Sequence, residues 1–153
     1  MNILFMCVAN SARSQMAEGI ARDILDNHTV VQSAGSHPTQ VNPLAVTALD
    51  EIGIDISKHS SKTVEQINSN FLENLDFIIT LCDEEVCPVL NNPYAQKLHW
   101  PFPDPAIQVG TDEEQLDRFR AVRNGLRERI MTFANARSIE KSSSSRETQA
   151  SLF

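Results

Sequence analysis

Residues 2–8 (Asn-Ile-Leu-Phe-Met-Cys-Val) form an almost unbroken apolar run, the pattern of a strand buried on both faces. Small polar residues follow at Ala9-Asn10-Ser11-Ala12-Arg13-Ser14, and then Met16, Ala17, Ile20, Ala21, Ile24 and Leu25 recur at helical spacing. The chain therefore opens as strand, tight loop, helix. A second strand is predicted at 29–33, closed by Ala34-Gly35. Asn42-Pro43 reads as a helix start, with Asn as N-cap and Pro at the first helical position. Leu44, Val46, Ala48, Leu49 and Ile52 continue that helix and Gly53 stops it. Residues 55–63 read as loop, 64–73 as a short helix and 76–82 as a third buried strand ending at a cysteine. A brief fourth strand is predicted at 97–100. Beyond Pro101-Phe102-Pro103-Asp104-Pro105, a long helix runs from about Thr111 to Ala136, its stripe being Leu116, Phe119, Val122, Leu126, Ile130 and Phe133.

Strands alternating with helices predict an α/β fold: three layers, a four-stranded parallel sheet with helices on both faces. No repeat or second domain is visible, so residues 1–137 are expected to form one domain. The tail 138–153, with its serine run 142–145, lacks periodicity and is expected to be disordered. Thirteen Lys and Arg against twenty Asp and Glu give a net charge of −7, which argues against a nucleic-acid binder. No apolar run approaches the roughly 20 residues of a membrane span, and the start lacks the basic region of a signal peptide. Three cysteines in such a chain read as reduced thiols. A cytoplasmic, monomeric protein is expected, and its cysteines need a chemical explanation.

Cys7 lies at the end of the first strand, and in parallel sheets ligands gather beyond the carboxyl ends of the strands. The backbone N–H groups of Val8, Ala9, Asn10, Ser11, Ala12 and Arg13, with the following helix N-terminus, make an anion cradle. The Arg13 guanidinium at its rim suits a tetrahedral oxyanion. The same positive environment favours a Cys7 thiolate, to which Ser14 can donate a hydrogen bond. Cys-x5-Arg-Ser between a buried strand and a helix is a nucleophile with a phosphate-shaped cup. As a lone residue, Cys7 would instead read as ordinary core. Cys82 and Cys87 lie toward the same sheet edge, which suggests a thiol relay; two inert cysteines or a metal pair are the alternatives. With His99, Cys-x4-Cys is loose for zinc.

The run Cys7-Val8-Ala9-Asn10-Ser11-Ala12-Arg13-Ser14-Gln15-Met16-Ala17-Glu18-Gly19 resembles the active-site signature of the low-molecular-weight tyrosine phosphatase superfamily, and more narrowly its arsenate reductase branch. Ser33-Ala34-Gly35, Asn42-Pro43, Gly53-Ile54-Asp55-Ile56-Ser57, Thr80-Leu81-Cys82, Cys87-Pro88 and His99-Trp100 match that branch in order. The resemblance covers about residues 2–135 and implies that family's flavodoxin-like winding. It implies that Asp104, which alone would read as a turn former between prolines, is the general acid.

It further implies a reaction sequence. Cys7 attacks arsenate, Asp104 protonates the departing oxygen, and Cys82 attacks Cys7 with release of arsenite. Cys87 then moves the disulfide to Cys82–Cys87, which thioredoxin reduces. Relatives usually place six residues between the last two cysteines, whereas here there are four, so glutaredoxin with glutathione is the alternative donor. Ala12 stands where many relatives carry a fourth cysteine. No tightly bound cofactor is implied. Some members bind potassium at positions matching Asn10, Glu18 and Ser33 plus an acidic residue. The match to the last is Lys62, either a solvated charge or an ammonium in the cation's place.

Two rivals stand beside this reading. A phosphatase would hydrolyse a cysteinyl-phosphate with water, but Asp104-Pro105 is followed by Ala106-Ile107 rather than a tyrosine pair, and Gln15 stands where phosphatases usually have Pro. A non-catalytic oxyanion or redox sensor would not need the nucleophile, arginine and acid together. Trp100 and Phe102 either line the pocket or belong to the core, with core favoured. His28, His37 and His59 carry no readable role.

Overall fold

The computed structural model describes residues 1–83 and 89–141. Among the described residues four strands and four α-helices follow one another: β1 (Asn2–Cys7), α1 (Arg13–Ile24), β2 (Val30–Gly35), α2 (Pro43–Asp50), α3 (Ser69–Glu73), β3 (Phe77–Thr80), β4 (Gln96–His99) and α4 (Asp112–Arg137). The strands form one parallel sheet, as the alternating pattern predicts, in the order β2-β1-β3-β4, the winding that the family resemblance implies. β1 lies between β2 and β3, pairing Met6 with Ala34 on one side and with Thr80 on the other.

The apolar run of β1 divides between two cores because successive side chains point to opposite faces. Ile3 and Phe5, with Phe77 and Ile79 of β3, pack under α1, α2 and α4. Leu4 and Met6, with Ala34 and Ile78, pack against Ile67, Phe71 and Leu75 around α3. Helices therefore cover both faces. Trp100 belongs to the first core, edge-on to Phe133 with ring centroids 5.6 Å apart.

Three boundaries differ from the sequence pattern. The single helix expected at 64–73 is a 3-10 turn at Val64–Gln66 followed by α3. Ile67 turns extended and inward between them, and Asn68 caps the second helix through Asn70 N. β3 is shorter than 76–82: its ladder to β4 ends at Thr80 and His99, after which Trp100 N donates to Thr80 O but Phe102 N donates to Leu81 O, one residue out of register. Past α4, Ser138 takes a left-handed conformation, Ile139 packs on the core, and Glu140 bridges Leu25. The packed unit thus runs to Lys141, whose amide donates to Ile24 O at 2.8 Å. The remainder of the expected tail, 142–153, lies outside the described residues.

α4 begins with a capping box, Thr111 against Glu114, and is pinned to the end of α2 by charge. Glu51 contacts Arg120 at 2.6 Å and Arg123 at 2.8 Å, and Arg123 also donates to Ala48 O. The hydrogen bond from Arg120, with that from Arg123, holds the Glu51 carboxyl at about 2 rather than the usual 4.5. A depressed carboxyl stabilises the fold above its unfolded pKa and loses that contribution as pH falls. Glu51→Gln is therefore expected to lower the urea midpoint at pH 7. The difference from wild type should shrink as pH drops from 4.5 toward 2; a constant difference would show that the ion pairs contribute nothing.

Candidate active site

The loop between β1 and α1 is held by its carbonyls. Val8 O accepts from His37 N, Ala9 O from Thr39 N, Ser11 O from Asn42 N and Ala12 O from Met16 N, at 2.9 to 3.1 Å. Asn10 O accepts from Ser61 Oγ at 2.6 Å. A trans peptide points the next N–H opposite to each carbonyl, so outward carbonyls turn the loop's amides as a set toward its concave side. Gly35, beside the loop on β2, permits this close approach: a Cβ there would run into the Val8 carbonyl and stand 2.9 Å from Asn10 N.

α1 adds to the same field. Its N-cap is Ala12, which offers no side-chain cap, and its first turn holds no acidic residue. Its first amides and the positive end of its dipole are thus left for an anion. α4, by contrast, is capped by Thr111 and carries three acids in its first turn. The concavity has a volume of about 120 Å³ and is lined by Cys7, Ala9, Ser11, Ala12, Arg13, Thr39, Asp104 and Ala106. That suits one small oxyanion rather than an organic ligand of ~300–1,000 Å³. Arg13, 6 % exposed, donates to Phe102 O at 3.0 Å. Asp104 is exposed, and its Oδ1 accepts from Ala106 N at 2.9 Å.

Cys7 is a buried free thiol whose Sγ lies 2.8 Å from Ser14 Oγ. The proton on that contact can be assigned from the bonds behind it. Lys62 N can only donate, so the atom of Asn10 facing it at 3.0 Å is the amide oxygen, which also accepts from Gln15 Nε2 at 3.0 Å. Asn10 Nδ2 is then the atom donating to Ser14 Oγ (2.8 Å) and Ser33 Oγ (3.0 Å). With an acceptor position of Ser14 filled, its hydroxyl proton is directed onto the sulfur. Asn10 itself is fully buried and has φ +47°, a left-handed conformation that Asn tolerates better than most residues.

Behind this row sits Glu18, 2 % exposed. It accepts from Ser33 Oγ at 2.8 Å and faces Arg22 at 3.3 Å, His59 at 3.3 Å and Lys62 at 3.8 Å. His59 also contacts Gln15 Oε1 at 3.1 Å. Burial, together with Arg22 and Lys62, pushes His59 below the ordinary imidazole range, against the pull of Glu18. The positions implied for potassium, Asn10, Glu18 and Ser33, are thus brought together, but they do not fit the ion. The amide oxygen already accepts two N–H groups, the hydroxyl is used in both directions, and cationic side chains compensate the carboxylate.

Cys82, 1 % exposed, lies two residues past the end of β3 and is disulfide-bonded. Leu81, whose amide donates to Met6 O at 3.0 Å, occupies the position beside Cys7, so Cys82 comes one residue further along the same edge. Cys87 lies outside the described residues. Trp100 lines no part of the cup; Phe102 is half-buried and reaches it only through its carbonyl. The sequence pattern missed Thr39 and His59, which carry no motif and arrive from loops far along the chain. Gln15 was noted there only for the residue it replaces, not for its bonds to Asn10 and His59.

A family model described as "Low molecular weight phosphotyrosine protein phosphatase" matches residues 2–145. An arsenate reductase of Halalkalibacterium halodurans is 46% identical over 134 residues, covering 86% of this chain and 94% of that protein. Among solved structures, the arsenate reductase of Archaeoglobus fulgidus superposes with a TM-score of 0.72 at 30% identity, over 87% of this chain and 98% of that one. A thioredoxin-dependent arsenate reductase of Corynebacterium glutamicum superposes with a TM-score of 0.62 at 27% identity, over 88% and 62%.

Anything that binds the folded chain alone raises its stability by mass action. Thermal midpoints in equal concentrations of KCl and NaCl are therefore expected to coincide. A rise specific to potassium would show that the Glu18 group takes the ion after all.

Proposed function

The chain belongs to the low molecular weight phosphotyrosine protein phosphatase family, and from that premise we propose that its reaction is the thiol-driven reduction of arsenate to arsenite. The observation that carries this reading over plain phosphoester hydrolysis is the placement of Cys82. Cys82, disulfide-bonded here and a thiol once reduced, is buried at the sheet edge one residue beyond the strand neighbour of Cys7, and in that reduced form it gives a covalent adduct on Cys7 something other than water to react with.

The arsenate oxyanion occupies the cup of loop amides with the Arg13 guanidinium at its side. Ser14, its proton turned toward sulfur, stabilises the Cys7 thiolate until it attacks arsenic. An S–As bond forms, and an oxygen leaves as water with a proton from Asp104. Cys82 as thiolate then attacks the Cys7 sulfur. The S–S bond forms, the S–As bond breaks, and its electron pair stays on arsenic, which leaves as arsenite reduced by two electrons. Cys87 attacks Cys82 and displaces the Cys7 thiolate, moving the disulfide away from the cup. A dithiol donor restores both thiols, and the thioredoxin dependence named for the Corynebacterium glutamicum neighbour supports thioredoxin in that role.

The site distinguishes these steps by mutation. Cys7→Ser should abolish all activity. Cys82→Ser should still bind arsenate but release no arsenite, and Cys87→Ser should give one arsenite per chain and then stop. Asp104→Asn should slow arsenite formation by roughly 10²–10⁴-fold, the range of a general acid. Arsenate-dependent NADPH oxidation is expected with thioredoxin and thioredoxin reductase. Turnover only with glutaredoxin and glutathione would reassign the last step, and normal multiple turnover by Cys87→Ser would remove that cysteine from the relay. Silence with both donors, alongside hydrolysis of p-nitrophenyl phosphate, would make the chain a phosphatase.

A further inference from the structure

Asp104 sits on the irregular stretch between β4 and α4, and the two limbs of that stretch are held in different ways. The upstream limb is built in. Phe102 N donates to Leu81 O at 3.2 Å, Phe102 O accepts from Arg13, and the ring rests on α4 at Gly125, where a Cβ would stand 2.9 Å from its Cε1. The downstream limb, 106–110, is exposed throughout, and its apolar side chains Ile107 and Val109 are 50% and 65% exposed, so packing does little to hold it. Arg118 reaches it from the first turns of α4. Its Nη2 donates to Ile107 O at 2.8 Å and also to Val109 O, while Gln115 secures Gly110 O at 3.3 Å. The Arg118 Nε is buried with no hydrogen-bond partner among the described residues. The guanidinium is thus placed to serve two loop carbonyls at the expense of its own third nitrogen.

We infer that Arg118 is a positioning residue for the general acid: by clasping the Ile107 and Val109 carbonyls it closes the downstream limb and keeps Asp104 over the oxyanion cup. The local turn in which Ala106 N donates to Asp104 Oδ1 orients the carboxyl relative to its own loop. Phe102 upstream, the buried Pro105 beside the acid, and the Arg118 clasp with Gln115 downstream orient that loop relative to Cys7. Without the clasp the Phe102 and Pro105 holds survive, so the cup and nucleophile are untouched while the exposed limb after the acid loses its main tether and the carboxyl is held less closely. The inference rests on the reading of Asp104 as the acid.

The test is a double-mutant cycle on fully reduced protein, reading the single-turnover rate of arsenite formation, which needs no external donor. Arg118→Met is expected to slow that rate about tenfold, part of the 10²–10⁴-fold that a general acid supplies. Arsenate affinity and the rate of Cys7 alkylation by iodoacetamide should remain at wild-type values. Arg118→Lys, which keeps a single donor nitrogen of the kind that makes both bonds, should recover part of the rate. In an Asp104→Asn background, Arg118→Met should cost less than about twofold, because residues that act as a unit are not additive. An equal cost in both backgrounds, an unchanged rate in Arg118→Met, or a parallel loss of arsenate affinity would overturn the inference and leave Asp104 in its role. An Asp104→Asn variant as fast as wild type would instead remove the acid assignment and the clasp with it. Should Arg118→Met fail to fold, the same cycle read with Arg118→Lys decides.

Discussion

A receptor for a small oxyanion made of backbone amides has to keep the loop's own carbonyl oxygens out of the hole. Here that constraint falls on five consecutive residues, Val8 to Ala12, and every one of their carbonyls is bonded to the surrounding scaffold. Much of the rest follows from supplying those donors. The segment 36–42 runs past the loop to give three of them, the 60–62 stretch crosses on the other side, and α1 begins where the last is satisfied. Gly35 is needed because the strand beneath comes too close for a Cβ. The unusual backbone of Asn10 is tolerated because its side chain is tied at both ends to other segments.

In the buried polar row from Glu18 through Ser33, Asn10 and Ser14 to Cys7, Asn10 is the divide: its amide nitrogen donates to both serines, which face Glu18 on one side and Cys7 on the other. The backbone amide of Lys62 fixes the orientation of Asn10 from outside. A half-satisfied network of this kind would be costly in the interior. The cations around Glu18 offset the burial of its charge, and the same cations remove the reason for a bound metal ion. Lys62 thus serves twice, its amide orienting Asn10 and its ammonium facing Glu18.

The parallel sheet with helices on both faces, the two-sided burial of β1 and the start and length of α4 were legible in the sequence, because each rests on a local periodicity, whereas the winding of the strands came from the family resemblance alone. The cup was legible as well, since Cys7, Arg13 and Ser14 lie within eight residues and their spacing carries the chemistry. What was not legible depends on contacts between distant segments. His59 reaches Gln15 across 44 residues, and Ser61 reaches Asn10 across 51. No pattern around position 118 announces that an arginine in a helix stripe serves a loop. The helix expected at 64–73 failed for a local reason, as the burial of Ile67 outweighed helical continuity and Asn68 began the helix anew.

Met1 and the stretch 139–141 lie at the pole of the sheet opposite the cup. Met1 donates to His28 O at the entrance of β1, and Ile139 to Lys141 run along the last turn of α1. The cup faces the opposite end of both elements, about 18 Å away along the 12 residues of α1. A chain tethered to an electrode or bead through either of these points would present the oxyanion loop to the solution. The molecule is thus already oriented for use as an immobilised arsenic sensor whose recognition surface stays clear of its support.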